Sequence, residues 1–392
     1  MRSYPDSDGR KPDANAMRVR FDAVSPLTVG VEEEAMLVDP DSLDLLPRAP
    51  EVVERAGHPR FKLELPASQV EIVLPPTTTV GGSIAALRAA RRDLAAAAQG
   101  IGVMIAAGAH PFAAPLGRLN DGERHREIAN AFGDVARLQL VCALQVHVAV
   151  GGHERSLAVY NALRSHLPEL AALAANAPFY AGRDTGLASV RPKLSELLPR
   201  QGVPPALRSW DDYADALEWG ARATELDAGQ WWWELRPRPL LGTLELRVPD
   251  AQATVEDAAA IVALAHSLVA WLAARHDAGE PLATADIWRL EENRWSAARW
   301  GMDAELADLS TGARTPAREC LASLLSELTP VAAGLGCEAE LASAAALGER
   351  NGAARQREIA AGGGLRAVVV WLADAYLSGM EPLVTAPPGK DG

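Results

Sequence analysis

Cysteine is scarce: Cys142, Cys320 and Cys337 are the only three in 392 residues, and no two form a CxxC pair. That excludes a disulfide scaffold and a zinc ribbon, and it fits a reducing cytoplasm. Basic charge is short as well. The chain carries 38 Lys and Arg against 51 Asp and Glu, a net charge of -13, which disfavours nucleic acid or an anionic lipid surface as a partner. The first 25 residues are polar and hold Pro5 and Pro12 but no apolar run, so they read as a disordered leader and not as a signal peptide. The most apolar stretch, Ala258 to Ala274, is interrupted by His266 and Ser267 and reads as too short for a membrane span. Signature loops are missing too: there is no GxxxxGK[ST], no GxGxxG after a strand, no HExxH and no GxSxG. P-loop, Rossmann, zincin and serine-hydrolase readings lose their main support.

The composition that remains is that of a folded protein, 48% hydrophobic and 23% charged. Period-2 runs at Thr28–Val38, Gln69–Leu74 and Leu140–Val150 predict strands. Trp231–Val248 predicts a hairpin turning around Pro237–Gly242. Ser83 is a candidate N-cap for the alanine-rich stretch ending near Gly100, and Asn120 or Asp121 for a helix over Glu123–Leu138. Gly182–Asp211, dense in Gly, Pro and Arg, reads as a long ordered loop of the functional kind, able to cover a site. Beyond Thr254 the pattern is helical: about Val255–His276, Thr284–Trp300, Pro316–Leu335, Glu338–Arg350 and Ala353–Leu377. Strands before residue 250 and helices after it predict an α+β fold with a mostly antiparallel sheet and a helical C-terminal layer. The expected organisation is one catalytic domain over 26–380, its sheet-bearing part 26–250 and its helical part 251–380, followed by a disordered tail at 381–392.

Residues two apart on a strand share a face. Glu32 and Glu34 therefore point one way, while Val29, Val31, Ala35 and Leu37 line the other side along with Glu33. Gln69 and Glu71 oppose Val70, Ile72 and Leu74; Gln145 and His147 oppose Leu144, Val146 and Val148. Thr243, Glu245 and Arg247 oppose Leu244, Leu246 and Val248. Taken singly, each row also suits a solvated sheet face, His147 a hydrogen-bonded core residue, and Glu245 with Arg247 an ion pair. Taken together in one sheet, four carboxylates and a histidine converge and repel unless cations neutralise them. Oxygen-rich sites select Mg²⁺ or Mn²⁺, so the physical reading is a multi-metal phosphoryl site. Arg236 and Arg238 suit an anion, as do Arg183, Arg191 and Lys193 on the long loop; a surface turn and a solvated loop explain them equally.

These residues resemble those of the type 2 glutamate-cysteine ligases, the YbdK-like carboxylate-amine ligases. The resemblance runs from about Thr28 to Asp303. It rests on Val29-Gly30-Val31-Glu32-Glu33-Glu34, Gln69-Val70-Glu71-Ile72, Val146-His147-Val148, Ala175-Asn176-Ala177-Pro178-Phe179, Asp184-Thr185-Gly186, Arg236-Pro237-Arg238-Pro239, Gly242-Thr243-Leu244-Glu245-Leu246-Arg247 and Glu292-Asn293-Arg294-Trp295. It implies a glutamine-synthetase-like curved antiparallel sheet and ATP- and Mg²⁺-dependent amide formation. Glu32, Glu34, Glu71, His147 and Glu245 would surround the metals, and Arg247 would contact the transferred phosphate, with Arg191 and Arg236 chosen for the acid substrate or phosphate. The expected partners are a small-molecule acid and amine, by default glutamate and cysteine, in a cytoplasmic homo-oligomer with a dimer favoured. One position departs: where the family reads Gly-x-His-Val-His-Val, this chain has Ala143-Leu144-Gln145-Val146-His147-Val148. That leaves open a ligase acting on a different acid or amine, beside a non-catalytic nucleotide-binding homologue and a metal-dependent hydrolase.

Overall fold

The computed structural model describes residues 13–223 and 231–378. Its centre is a seven-stranded antiparallel sheet. From one edge to the other run Phe61–Leu63, Gln69–Val73, Val29–Val38, Leu144–Val148, Thr243–Leu246 and Leu235–Arg238, while Val103–Ile105 pairs with the far half of Val29–Val38. The two edge strands beyond Leu144–Val148 are the arms of the expected hairpin, closed at Gly242 with φ 71°, a conformation that glycine adopts without strain.

The sheet's apolar face is the core. Val31, Ala35, Ile72, Leu144, Val146 and Leu244 are fully buried there. The helices Val80–Ala98 and Val255–Asp277 pack over that face and against each other. Both are rich in alanine, so their backbones approach closely and leave little side-chain entropy to lose. One charged residue sits on this face. Glu33 is completely buried and receives a two-pronged ion pair from Arg91 of the Val80–Ala98 helix, Nε to Oε2 at 2.8 Å and Nη2 to Oε1 at 2.6 Å. Arg91 also donates to the carbonyls of Gln252 and Ala253 and lies over the Tyr376 ring. It thereby ties the sheet to both halves of the helical layer.

Several expectations are corrected. The leader is helical from Ala14 to Ala23, capped by Asp13, and it buries Met17 and Phe21, whose ring packs on Trp210 with centroids 4.5 Å apart. A single i, i+4 apolar pair among charges carried that helix, too little to see in the sequence. Residues 1–12 and the expected tail lie outside the described residues. The N-cap of the alanine-rich helix is Thr79, one turn before Ser83, whose hydroxyl instead bonds Thr77 and the carbonyl of Val29. The expected Glu123–Leu138 helix is preceded by Gly122 and broken at Gly133 (φ 59°) into Glu123–Phe132 and Asp134–Arg137. Asn120 is no cap: its amide donates to the carbonyls of Glu64 and Pro66. The Gly182–Asp211 loop carries its own structure, a two-residue strand Arg183–Asp184 and a helical turn Arg191–Ser195. The membrane argument from length also fails. Val255–Asp277 and Gly352–Tyr376 are long and apolar enough to cross a bilayer; the first is 83% buried inside the protein, the second breaks at Gly364.

Replacing Arg91 with Leu leaves Glu33 buried without a counter-charge. The expected loss is about 3–5 kcal/mol of unfolding free energy, measured by urea titration; an unchanged midpoint would show that the pair does not tie the layers together.

Candidate active site

On the opposite face the register brings the polar rows side by side. Glu34 is paired with Glu71, Glu32 with Gln145, His147 with Glu245, and Glu245 with Arg236. A cavity of about 400 Å³ opens over this face, and Glu32, Glu34, Glu71, Gln145, Arg236 and Arg247 are among the residues lining it. Its walls come from elsewhere in the chain: Arg124 and Ile128 of the Glu123–Phe132 helix, Arg191 and Leu198 of the long loop, and Trp232.

Two electrostatically distinct groups lie on this face. The first is Glu32, His147 and Glu245, whose ligand atoms all lie within 4.8 Å of one another. His147 Nε2 is 3.5 Å from Glu32 Oε1 and 3.9 Å from Glu245 Oε1; it is buried without a hydrogen-bond partner, while Nδ1 contacts the Thr243 hydroxyl at 3.2 Å. A buried imidazole nitrogen left unpaired between two carboxylates is costly by itself and suited to a cation. Burial resists ionisation of Glu32, but the neighbouring His147 imidazole outweighs it and brings the carboxyl down to about 2.

The second group is Glu34, Glu64 and Glu71. Burial, reinforced by the charge of Glu34, pushes Glu64 up to about 8. Burial and then the charge of Glu64 lift Glu71 well above the carboxylate range. Burial raises Glu34 too, against the pull of Arg247. Three buried carboxyls this close resist ionising together. The Glu32, His147 and Glu245 group therefore fits the divalent metal that the sequence implied, and Glu34, Glu64 and Glu71 line the cavity beside it.

Glu245 is different. It is fully buried and accepts from Arg236 (Nε to Oε2, 2.6 Å), Arg238 (Nη1 to Oε2, 3.2 Å) and Arg247 (Nη1 to Oε1, 2.7 Å). Burial opposes its charge, yet the three guanidinium groups hold its carboxyl well below the usual range. Burial brings Arg236 down to about 10 despite Glu245. Arg191 lines the cavity, but Nε goes to Asp250 at 2.7 Å and Nη2 to the carbonyls of Val248 and Arg247. Asp250 also accepts from the Ser189 hydroxyl and the Asn176 backbone N–H. Arg191 thus braces the end of the Thr243–Leu246 strand, and its placement gives it a structural task beside the anion contact expected of it.

Four participants were not read from the sequence. Glu64 lies between two short strands, where no period-2 run marks it. Lys62 is paired in register with Glu71. Glu234 lines the cavity and holds Arg294 in a buried ion pair. Asp250 sits beyond its strand. Arg294 belonged to a quoted motif, a signal that had no assigned role.

Comparison with known proteins gives the chain its place. The sequence pattern of glutamate-cysteine ligase family 2 matches residues 28–369. The chain belongs to this family. Curated family members include two proteins named “Putative glutamate--cysteine ligase 2-3”, from Rubrobacter xylanophilus, and “Putative glutamate--cysteine ligase 2”, from Micrococcus luteus. The first is 41% identical over 92% of this chain and 99% of its own length; the second is 36% identical over 88% and 90%. Among solved structures, a glutamate-cysteine ligase from Francisella tularensis in complex with AMP superposes with a TM-score of 0.67 at 11% identity, covering 90% of this chain and 89% of that one. A bifunctional glutathione synthetase from Pasteurella multocida gives 0.64 at 17% identity, covering 92% of this chain and 54% of that one. At these identities the likeness is one of fold, and it bears out the expected antiparallel sheet flanked by helices.

Because a ligating carboxylate must be ionised, Mn²⁺ binding should release protons from the Glu34, Glu64 and Glu71 group. Carboxyls raised above their unfolded values are protonated at low pH in the metal-free protein. Affinity should therefore rise with pH through the range in which Glu64, pushed up to about 8, loses its proton, by up to about tenfold per unit for each proton released. Calorimetry in buffers of different ionisation enthalpy measures the protons; a pH-independent affinity would remove this group from the metal site.

Proposed function

We propose that this family member is an ATP- and Mg²⁺-dependent ligase that joins a carboxylic acid to an amine through an acyl phosphate, with glutamate and cysteine as the default pair. The observation that carries this reading is the juxtaposition of the Glu32, His147 and Glu245 cluster with the guanidinium groups of Arg236 and Arg247, which line the same cavity as Glu32. A metal-ligand set beside fixed cations is what phosphoryl transfer to a carboxylate requires. Supporting it are the family membership and the relatives' names.

A carboxylate is a poor acyl donor because its leaving group would be oxide. In the proposed reaction the acid's oxygen attacks the γ-phosphorus of ATP, the β–γ bridging bond breaks and ADP leaves. The amine nitrogen then attacks the acyl carbon and inorganic phosphate departs. Glu32, His147 and Glu245, with Glu34, Glu64 and Glu71, would hold divalent cations, which supply charge neutralisation for the nucleotide's phosphates. Arg247 lies beside both groups, and Glu245 and then Glu34 outweigh burial in keeping it charged. It is placed to meet negative charge on the transferred group. Arg236, locked on Glu245, orients that carboxylate and keeps it ionised.

Glu245 is buried among three guanidinium groups. Changing it to Gln removes a ligand and also leaves three arginines facing one neutral group, so activity and stability would fall together. Glu32, at the cavity and without an arginine clamp, separates them. Glu32→Gln is expected to lower acid-dependent ADP formation by on the order of 10² or more, with a melting temperature within a few degrees of wild type. Near-normal turnover in that variant, assayed by phosphate release and product mass over panels of acids and amines, would contradict the assignment.

A further inference from the structure

The side chain of Gln145 joins the two charged groups of the site. It is 1% exposed. Its Nε2 donates to Glu34 Oε1 at 2.9 Å, and its Oε1 accepts from Arg247 Nη1 at 2.5 Å. Turning the amide over would set an oxygen against a carboxylate and an NH₂ against a guanidinium, so its orientation is fixed by its neighbours. The anchor is itself held: the other oxygen of Glu34 accepts from the Ala143 backbone amide at 2.7 Å. A chain of hydrogen bonds thus runs from the strand backbone through Glu34 and Gln145 to Arg247.

Glu245 alone does not give Arg247 a unique position, because Arg236 and Arg238 share that carboxylate. Any cation that draws on Glu245 also weakens its hold on Arg247. Gln145 supplies a second, independent acceptor on the same guanidinium nitrogen. Being neutral, it directs Arg247 without cancelling the charge that an anion would meet. A carboxylate at this position would hold Arg247 more strongly and neutralise it. Among the described residues, Nε and Nη2 of Arg247 make no hydrogen bond, and the guanidinium lines the cavity.

We propose that Gln145 is a positioning residue that holds Arg247 against the γ-phosphate of the bound nucleotide. This rests on the ATP-dependent reading above, and it concerns the ground-state grip on one phosphate, which can be measured without turnover. The experiment is calorimetric binding of a non-hydrolysable ATP analogue and of ADP, each with Mg²⁺, to the full chain and its variants. Gln145→Met keeps length and approximate volume and removes both hydrogen bonds. It should weaken the analogue roughly 3- to 10-fold, the size of one or two neutral hydrogen bonds, and leave ADP unchanged, because ADP lacks the phosphate concerned. Arg247→Ala should weaken the analogue about 10- to 100-fold. Adding Gln145→Met to Arg247→Ala should then change nothing further, since the amide acts through the guanidinium.

The inference is overturned if Gln145→Met binds the analogue like wild type, if it weakens analogue and ADP alike, or if the two substitutions add. Should the Met variant not fold, Gln145→Asn serves in its place: one methylene shorter, it cannot span Glu34 and Arg247 and should show a smaller loss confined to the analogue, equal affinities being the contrary result. If wild-type protein binds the analogue with the expected Arg247 and Gln145 dependence yet forms no ADP with any acid, the ligase reading falls and this one stands. If it binds neither nucleotide, both fall.

Discussion

The constraint on which the structure turns is the neutralisation of carboxylates on a sheet face that is nearly closed to water. Burying one carboxylate without a counter-charge costs several kcal/mol, and the antiparallel register places Glu32, Glu34, Glu71 and Glu245 on neighbouring strands of that face. The protein meets the requirement in two ways. Glu245 is surrounded by guanidinium groups and stays ionised. Glu34, Glu64 and Glu71 have no comparable arginine clamp, and their carboxyls rise instead. Guanidinium charge answers burial in the first arrangement, and protonation answers it in the second.

The same constraint explains the opposite face. Glu33 belongs to the run of three glutamates, but alternation turns it into the apolar layer, where Arg91 neutralises it and reaches on to the helical part of the chain. One triplet of like residues therefore serves two unrelated purposes. Its outer members face the cavity and its middle member fastens the sheet to the helices behind it. Rigidity at Glu33 fixes the strand from which Glu32 and Glu34 project, a link between packing and site geometry.

Period-2 alternation made Val29–Val38, Gln69–Val73, Leu144–Val148 and the hairpin legible, because one face of each is buried in the apolar core, while the three-residue strands Phe61–Leu63 and Val103–Ile105 were too short to show it. Strand faces then sorted Glu32, Glu34, Glu71, His147 and Glu245 together before any register was known. Long apolar helices after residue 254 were legible for the same reason. What escaped was carried by residues outside periodic runs. Glu64 lies between two short strands, Asp250 in an isolated bridge to Ala143 and Lys62 on a three-residue strand, and the Ala14–Ala23 helix shows two buried residues among polar ones. Arg191 was visible as a positive charge, but not that its hydrogen bonds brace Asp250 and the strand end.

By itself the sequence determined which side of each strand is polar, since alternation is a local property of an extended backbone, and it determined the family through the order of its motifs. Only the tertiary structure decided which polar groups meet and which partners each one takes. Register and sheet order depend on contacts between stretches far apart in the chain, as in the pairing of His147 with Glu245 and the link from Gln145 to both Glu34 and Arg247. The charge state of a carboxylate follows from those contacts: burial and neighbouring charges separate Glu245 from Glu71 although the two side chains are chemically the same.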